Sequence, residues 1–444
     1  MRSLVRGAGA CLATVILALS GSRMEAAETP KIMANLVFWD QARGFDTILA
    51  NPDLFSSISP YWYRVETDGS VLPYVTAYGN SYEDPSIISF LRDRGIRIIP
   101  TVANIVDGAW DGPAVSRIIN DPTLSAVNIQ NLVNLTVARG YDGIDLDYED
   151  LLATDRTAFT RFIQNLAAAL HARGKLLVVD VYAKTSEPGT WDGPMAQDYY
   201  AIGQTADYVR IMGYEYHWSG SGPGPIGPLA WLDAVMAFAR TQVPTATITA
   251  GFHLYGYDWP GKYANALVWN DVMALSSRYG TTAQWDAASG ETWMQYVASG
   301  KQHTIWFADA RSVDARLQLA NAHGIPSMNL WRLGGEDPAT WTTVRTFLQG
   351  GTASDTMPPV VTLTSPLDGI TIAAKQKIEA QAVDNVGVGR VEFYVDGAML
   401  ATDTAAPYTV IWNTRKASRG AHVVTAVAYD RQGNSATAQV TVYK

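Results

Sequence analysis

The amino-acid sequence predicts an α/β barrel with a parallel sheet, followed by a smaller all-β sandwich. From residue 30 to residue 349, short apolar runs alternate with helical patterns, which is typical of βα repeats around a parallel sheet. Gly350-Gly351 and Pro358-Pro359 interrupt the pattern, so we place a linker at residues 350–356. Residues 357–444 contain short alternating runs separated by turn residues, which indicates an antiparallel sandwich.

The first unit contains eight strand-like runs. In chain order they are IMANLVFWD, SSISPYWYRV, IRIIPTVAN, DGIDLDYE, KLLVVDVYA, DYVRIMGYEY, ATITAGFHLYGY and SMNLWRLG. Helical patterns lie between them, and several end in Gly, as a helix stop should. This series predicts a TIM (β/α)8 barrel with a small α+β insertion. The alternative is a doubly wound open sheet, but no Gly-rich phosphate loop follows any of these strands.

We expect the insertion between the seventh and eighth strands, from Asp258 to Pro326. This segment is rich in Trp and Tyr and includes another strand-like run, HTIWFADA. Part of it is expected to form a small subdomain that walls one side of a cleft.

In the second unit the predicted strands include KIEAQAVD, RVEFYVDG, YTVIWNT and VVTAVAYD. Their flanking residues Asp384, Asp430 and Asn434 suit either a calcium site or ordinary turns, and we favour turns.

Residues 1–27 have the pattern of a secretory signal peptide. Arg2 and Arg6 precede an apolar run, and small residues surround Ala26 and Ala27. An uncleaved anchor is the alternative, but the run is short for a membrane span. We therefore expect a secreted, periplasmic or cell-surface protein without stable membrane insertion after signal removal. Cys11, the one cysteine, lies in this segment, so no disulfide is expected.

The amino-acid composition limits which partners and cofactors the protein is expected to bind. The formal net charge of −9 argues against nucleic acid. The 14 Trp and 22 Tyr exceed what a core of this size needs, and aromatic platforms for sugar faces would account for the excess. His217, His253 and His303 are scattered without metal-ligand spacing, so we expect no catalytic metal and no cofactor. We expect a monomer.

The stretch YDGIDLDYED, residues 141–150, alternates carboxylates with apolar groups. A side-chain period of two places Asp145, Asp147 and Glu149 on one face of a strand, about 6.6 Å apart in succession. A solvated acidic edge does not suit the flanking residues. An EF-hand loop starting at Asp145 would need Gly where Asp150 stands. Interacting carboxylates with pKa values pushed apart are the remaining interpretation, and acid catalysis at neutral pH requires such a set.

The same stretch resembles the Asp-Gly-x-Asp-x-Asp-x-Glu signature of glycoside hydrolase family 18, the chitinase family. MGYE, residues 212–215, is similar to the family's Met-x-Tyr-Asp, with Glu215 where the family usually has Asp. LWRLGGEDP supplies Trp331 at the position of the family's floor tryptophan. The longer motifs MGYEYHWSGSGPGPIGPLAWL and GFHLYGYDWPG most resemble the branch of spore-coat and cell-wall N-acetylglucosaminidases.

The resemblance implies catalytic roles for four residues and a substrate-binding role for six. Glu149 would be the general acid, Asp147 would orient the substrate's acetamido group, and Asp145 would tune Asp147. Tyr214 would hydrogen-bond the acetamido oxygen. The expected substrate-binding residues are Trp331, which would stack beneath the sugar, with Met212, Glu215, Trp218, Tyr255 and Asn104.

The function implied is hydrolysis of polymers containing β-linked N-acetylglucosamine, of the chitin or the peptidoglycan type, by a retaining, substrate-assisted mechanism. A non-catalytic sugar-binding protein on the same barrel is the alternative, but such lectins usually lack the acid, and Glu149 is present. A purely adhesive surface protein is a third possibility. The C-terminal sandwich resembles bacterial immunoglobulin-like modules attached to exported hydrolases, whose usual roles are spacing and attachment.

Overall fold

The structure is a computed structural model that describes residues 31–349, 358–384, 388–404, 406–430 and 434–444. The predicted signal peptide, residues 1–27, and the predicted linker, residues 350–356, lie outside the described residues. Within the described ranges, no helix has both the length and the apolar character needed to cross a membrane.

The barrel consists of eight parallel strands that close on themselves. Each strand pairs with its neighbour in the chain, and the eighth pairs with the first. The predicted TIM barrel is therefore confirmed. The eight strands are Lys31–Val37, Phe55–Val65, Thr101–Ala103 (preceded by Arg97–Ile98), Gly143–Asp147, Leu176–Tyr182, Tyr208–Met212, Ile248–His253 and Ser327–Trp331.

Helices pack around this sheet and bury one apolar face against it. Pro122–Arg139 shows how the sequence defines their ends: the Asp121 side chain accepts hydrogen bonds from the first free N–H groups, and Gly140 ends the helix in the left-handed region at φ 64°. The helices are Gln41–Ala50, Pro85–Asp93, Gly112–Asn120, Pro122–Arg139, Arg156–His171, Asp192–Ala196, Tyr199–Gly203, Leu229–Gln242, Ala310–Ala322 and Thr340–Leu348.

The insertion is a five-stranded antiparallel sheet that follows the seventh barrel strand. Its strands are, in spatial order, Asn265–Leu267, Gly256–Trp259, Lys301–Phe307, Glu291–Ala298 and Gln284–Asp286. The helix Trp269–Tyr279 covers one face of this sheet through a small apolar core of its own. The last strand of the insertion ends at Phe307, and the following helix Ala310–Ala322 buries its apolar residues in the barrel core.

The C-terminal unit contains two antiparallel sheets around a separate core. One sheet has the strands Val360–Ser365, Lys375–Val383 and Tyr408–Asn413, and the other has Ala398–Asp403, Val388–Val395, Ala421–Asp430 and Ser435–Tyr443. Asp430 accepts hydrogen bonds from both the main-chain N–H and the side-chain amide of Asn434, at 2.9 and 2.6 Å, which link the ends of the last two strands. The predicted immunoglobulin-like sandwich is consistent with this pair of sheets.

Candidate active site

The fourth barrel strand and the residues directly after it carry three carboxylates of increasing exposure. Asp145 is fully buried, Asp147 is 5% exposed, and Glu149 is partly exposed two residues after the strand ends. The intervening Ile144, Leu146 and Tyr148 are buried in the apolar core between the strand and the helices. The alternation of acidic and apolar residues in the sequence therefore places the carboxylates toward the barrel interior and the apolar side chains on the outside of the sheet.

Asp145, the deepest carboxylate, is fixed by groups from neighbouring strands. It accepts hydrogen bonds from the Thr101 hydroxyl at 2.7 Å and from the Arg210 guanidinium at 2.5 Å. Arg210 also forms an ion pair with Asp180 at 3.3 Å and donates to the Ser59 hydroxyl at 3.0 Å. One buried guanidinium thus offsets the charge of two buried carboxylates and locks their positions.

Asp147, in the middle of the row, has one oxygen occupied and one free. The Tyr61 hydroxyl donates to Oδ2 at 3.0 Å, while Oδ1 is buried without a hydrogen-bond partner among the described residues. Burial raises the pKa of Asp147 well above its usual range, and the charges of Glu149 and Asp145 raise it further. The free oxygen is an acceptor in need of a donor, which a substrate N–H would supply.

Glu149, at the mouth of the barrel, has the properties of a general acid. Burial raises its pKa to about 7, although the Tyr182 hydroxyl, which donates to Oε2 at 2.5 Å, acts in the opposite direction. A carboxyl with a pKa near neutrality carries its proton when a leaving group needs it and can lose it afterwards. Because Glu149 and Asp147 interact closely, the two titrate as a pair.

Asn104 holds the main chain of Glu149 from the end of the third strand. Its side-chain amide donates to the Glu149 carbonyl at 2.9 Å, and its side-chain oxygen accepts from the Glu149 N–H at 2.9 Å. The residue is fully buried. Both hydrogen-bonding groups of the Asn104 side chain thus position the main chain of the acid, and a contact between Asn104 and substrate stays a prediction.

Aromatic rings form the floor beside these carboxylates. Trp331 lies next to Tyr214, with ring centres 6.5 Å apart and planes 16° from parallel, and it also contacts Tyr61 and the half-exposed Trp39. The Tyr214 hydroxyl has no hydrogen-bond partner within the described part of the chain. Burial, together with the charge of Asp180, raises the pKa of Tyr214 well above its usual range, so this hydroxyl remains a donor. The predicted residues Tyr214 and Trp331 are thus brought together.

Glu215 lies on the other side of Tyr214 and faces the insertion. Its backbone is in the left-handed region at φ 63°, and its carboxylate accepts from the hydroxyls of Tyr255 and Tyr257, the latter at 2.9 Å. Glu215 is exposed to solvent on one side and contacts protein on the other. This partial burial raises the pKa of its carboxyl. Trp218 is about half exposed and Met212 partly buried at the same end of the barrel. Their substrate contacts stay predictions.

The structure adds site residues that the sequence argument did not single out. Asp180 and Tyr182 end the fifth strand with the same alternation that Asp147 and Glu149 show on the fourth, which is the signal that could have found them. The Trp191 ring is 4.6 Å from that of Tyr182 and about half exposed, so it offers an apolar surface on the acid's side of the cleft. Across the described residues, no group of three or more His, Cys, Asp or Glu side chains is arranged to hold a metal ion.

Comparison with known sequences decides the family. The profile described as Glycosyl hydrolases family 18 matches residues 98–336, more than half of the chain. The chain belongs to glycosyl hydrolase family 18. This family-18 protein is therefore a glycoside hydrolase, and its residues 359–426 match a second profile, described as Bacterial Ig domain.

Similar proteins agree with this assignment. YdhD of Bacillus subtilis, described as a sporulation-specific glycosylase, is 31% identical over 312 residues, which are 66% of this chain and 72% of YdhD. A chitinase from Chromobacterium violaceum is 30% identical with a TM-score of 0.66, covering 72% of this chain and 99% of that one. The spore cortex-lytic enzyme SleL from Bacillus cereus is 25% identical with a TM-score of 0.63, covering 71% and 74%.

Proposed function

We propose that this family-18 hydrolase is exported and cleaves β-linked N-acetylglucosamine polymers, of the chitin or the peptidoglycan type, with retention of configuration. The observation that carries the proposal is the buried pair of Asp147 and Glu149: burial raises the pKa of Glu149 to about 7, and Asp147 Oδ1 receives no hydrogen bond from an N–H or hydroxyl group of the described residues. A carboxylate oxygen at this place suits the N–H of a 2-acetamido group. The segment 1–27 motivates the proposal of export.

In the first step, Glu149 donates its proton to the glycosidic oxygen while the bond from that oxygen to C1 breaks. Its pKa of about 7 means that much of the enzyme carries this proton near neutral pH. The Tyr182 hydroxyl and the Asn104 amide fix the side chain and the main chain of Glu149, respectively. The acid is therefore held in place before substrate arrives.

The nucleophile in this scheme is the acetamido oxygen of the substrate. An ordinary retaining glycosidase needs a second carboxyl on the opposite side of the sugar, about 5 to 5.5 Å from the acid. Asp147 ends the fourth strand two residues before Glu149 and interacts closely with it, and Asp145 and Asp180 are bound to Arg210. Asp147 instead accepts the acetamido N–H, which makes the acetamido oxygen a better nucleophile. The oxygen forms a bond to C1 and gives a cyclic oxazolinium ion.

In the second step, water attacks C1, the bond from C1 to the acetamido oxygen breaks, and Glu149 takes the water's proton. Two displacements at C1 leave the configuration unchanged. Tyr214 donates to the acetamido group, and Trp331 supports the sugar ring from below. Chitin and peptidoglycan both contain β-linked N-acetylglucosamine, and the similar proteins include one named a chitinase and one named a spore cortex-lytic enzyme.

Proton NMR of the first-formed product tests the mechanism. A chitin oligomer should release the β-anomer first, before mutarotation, whereas initial α-anomer would show inversion and refute the scheme. Cellulose oligomers are the matched control, because they have the same backbone without the 2-acetamido group. They should not be cleaved. Product analysis on chitin oligomers beside purified peptidoglycan then assigns the polymer.

A further inference from the structure

The insertion sheet has two faces of different character. Met294, Tyr296, Ile305 and Phe307 point to the face that packs on the helix Trp269–Tyr279. Because side chains alternate along a strand, the residues between them point the other way. On that second face, Trp293 is paired directly with Trp306, and Gln295 with Thr304. This outer face carries large aromatic rings although no apolar core lies over it.

A groove of about 520 Å³ lies on this outer face. Trp293 and Trp306 line it from this face, and Trp285 lines it from the edge strand beside them. The rings of Trp293 and Trp306 are 5.9 Å apart and 22° from parallel, and all three residues are partly exposed. The Arg311 guanidinium lies 4.0 Å from the centre of the Trp285 ring and supports one of its faces. These rings are ordered by one another and by strand pairing, so little conformational entropy is lost if a flat ligand stacks on them.

Polar side chains between the rings match the chemistry of a sugar. Gln284 and Gln295 offer amides, and Thr304 offers a hydroxyl, at the walls of the same groove. Asp286 is the single charged residue that lines it, together with Pro223 from the loop after the sixth barrel strand. Apolar ring faces combined with neutral hydrogen-bonding groups suit a neutral glycan better than a charged ligand.

Strand pairing connects the groove to the catalytic centre through a row of aromatic residues. Trp306 is paired in register with Tyr257, whose hydroxyl donates to Glu215 beside Tyr214. Tyr257, Trp306 and Trp293 therefore form a row across three neighbouring strands, on one face. At about 4.8 Å between strands, the backbone of Trp293 is roughly 10 Å beyond that of Tyr257. The groove therefore lies beyond Tyr257, and its lining includes none of the residues of the catalytic centre.

We infer that this groove is a second saccharide-binding site, which holds a β-linked N-acetylglucosamine chain at a point distant from the bond being cleaved. The inference rests on the proposed function for the identity of the sugar. Its consequence is that long chains gain a contact that short substrates cannot reach. Binding energy from this contact raises kcat/KM for long chains and leaves the chemical step unchanged.

The test is the substitution Trp293→Ala in the full chain. We expect kcat/KM for long chitin oligomers or polymer to fall about 10-fold, in line with a lost aromatic contact, and the rate on a chromogenic chitobioside to stay the same. Trp293→Tyr should restore most of the loss, since it keeps a ring. Val297→Ala is the matched control, because Val297 is on the same strand and face and is 60% exposed but does not line the groove. It should change neither rate.

A binding measurement separates this inference from the proposed function. Calorimetry measures the affinity of chitohexaose for the Glu149→Gln protein and for the protein that carries both Glu149→Gln and Trp293→Ala. Because Glu149→Gln prevents turnover, the difference between the two affinities is the contribution of the groove. Weaker binding with Trp293→Ala supports the groove, and equal binding overturns it, whether or not hydrolysis is seen. Parallel losses on chitobioside and polymer would also overturn it, because they would indicate damage to the catalytic centre. Failure of the unaltered enzyme to cleave any N-acetylglucosamine substrate would refute the proposed function alone.

Discussion

Tyr182→Phe should shift the pH dependence of catalysis in a direction that the site geometry fixes. The Tyr182 hydroxyl donates to Glu149 at 2.5 Å and so favours the charged carboxylate. It lowers the pKa of Glu149, which burial raises to about 7. Without this hydrogen bond, less of the upward shift caused by burial is cancelled, so the pKa of Glu149 rises. Because the general acid must be protonated, activity is lost as pH increases through this pKa, and the alkaline limb therefore moves to higher pH.

The size of the shift follows from the strength of the hydrogen bond. A bond to a charged group contributes about 1.5 to 3 kcal/mol, and water replaces part of it at this partly exposed position. A remaining loss of about 1.4 kcal/mol corresponds to one pH unit. We therefore expect the alkaline limb of kcat/KM to move up by about one unit. The limb reports the Glu149 and Asp147 pair, since the two titrate together.

The assay is kcat/KM against pH on a chitin oligomer, whose sugar leaving group depends on acid assistance. Tyr296→Phe is the matched control: Tyr296 also donates to a carboxylate, Asp258, at 2.7 Å, but it does so inside the insertion. Its pH profile should match that of the unaltered enzyme. An alkaline limb that stays in place or moves to lower pH in Tyr182→Phe would show that Glu149 is not the acid or that Tyr182 does not govern it.

Three further changes test other parts of the site and the domain organisation. Glu149→Gln should lower turnover at least about 100-fold while keeping sugar binding in calorimetry, because the amide cannot protonate a leaving oxygen; retained activity would remove Glu149 from its role. Asn104→Ala should lower kcat more than it raises KM, since it frees the main chain of Glu149 without touching the sugar, and a pure KM effect would argue for a substrate contact instead. A chain ending at Gln349 should stay folded and cleave soluble oligomers, because the barrel and the sandwich have separate apolar cores; aggregation or loss of activity would contradict that independence.

Local patterns in the sequence were sufficient for the fold and for the central carboxylates. The alternation from Asp145 to Glu149 defines a strand face through geometry that any strand shares, so no tertiary information is needed to align the three carboxylates. The repeated strand and helix patterns likewise specify a closed parallel barrel, because that arrangement buries each apolar run. The change in pattern after residue 357 marks a second core for the same reason.

Only the closed barrel decides which side chains surround those carboxylates. Asn104, Tyr182 and Arg210 come from three other strands, and their contacts with Glu149 and Asp145 depend on strand register and tilt, which vary with packing across the whole sheet. Asn104 shows the difference clearly. The resemblance implies a substrate contact for Asn104, and the strand register adds hydrogen bonds from its side-chain NH2 and oxygen to the main chain of Glu149. Likewise, the sequence contains Trp293 and Trp306, but pairing of two strands in the insertion puts them on one face. The sequence thus determined the carboxylates themselves, through a period that is local to one strand, and the tertiary structure determined their partners, because hydrogen bonds between strands form only once the sheet has closed.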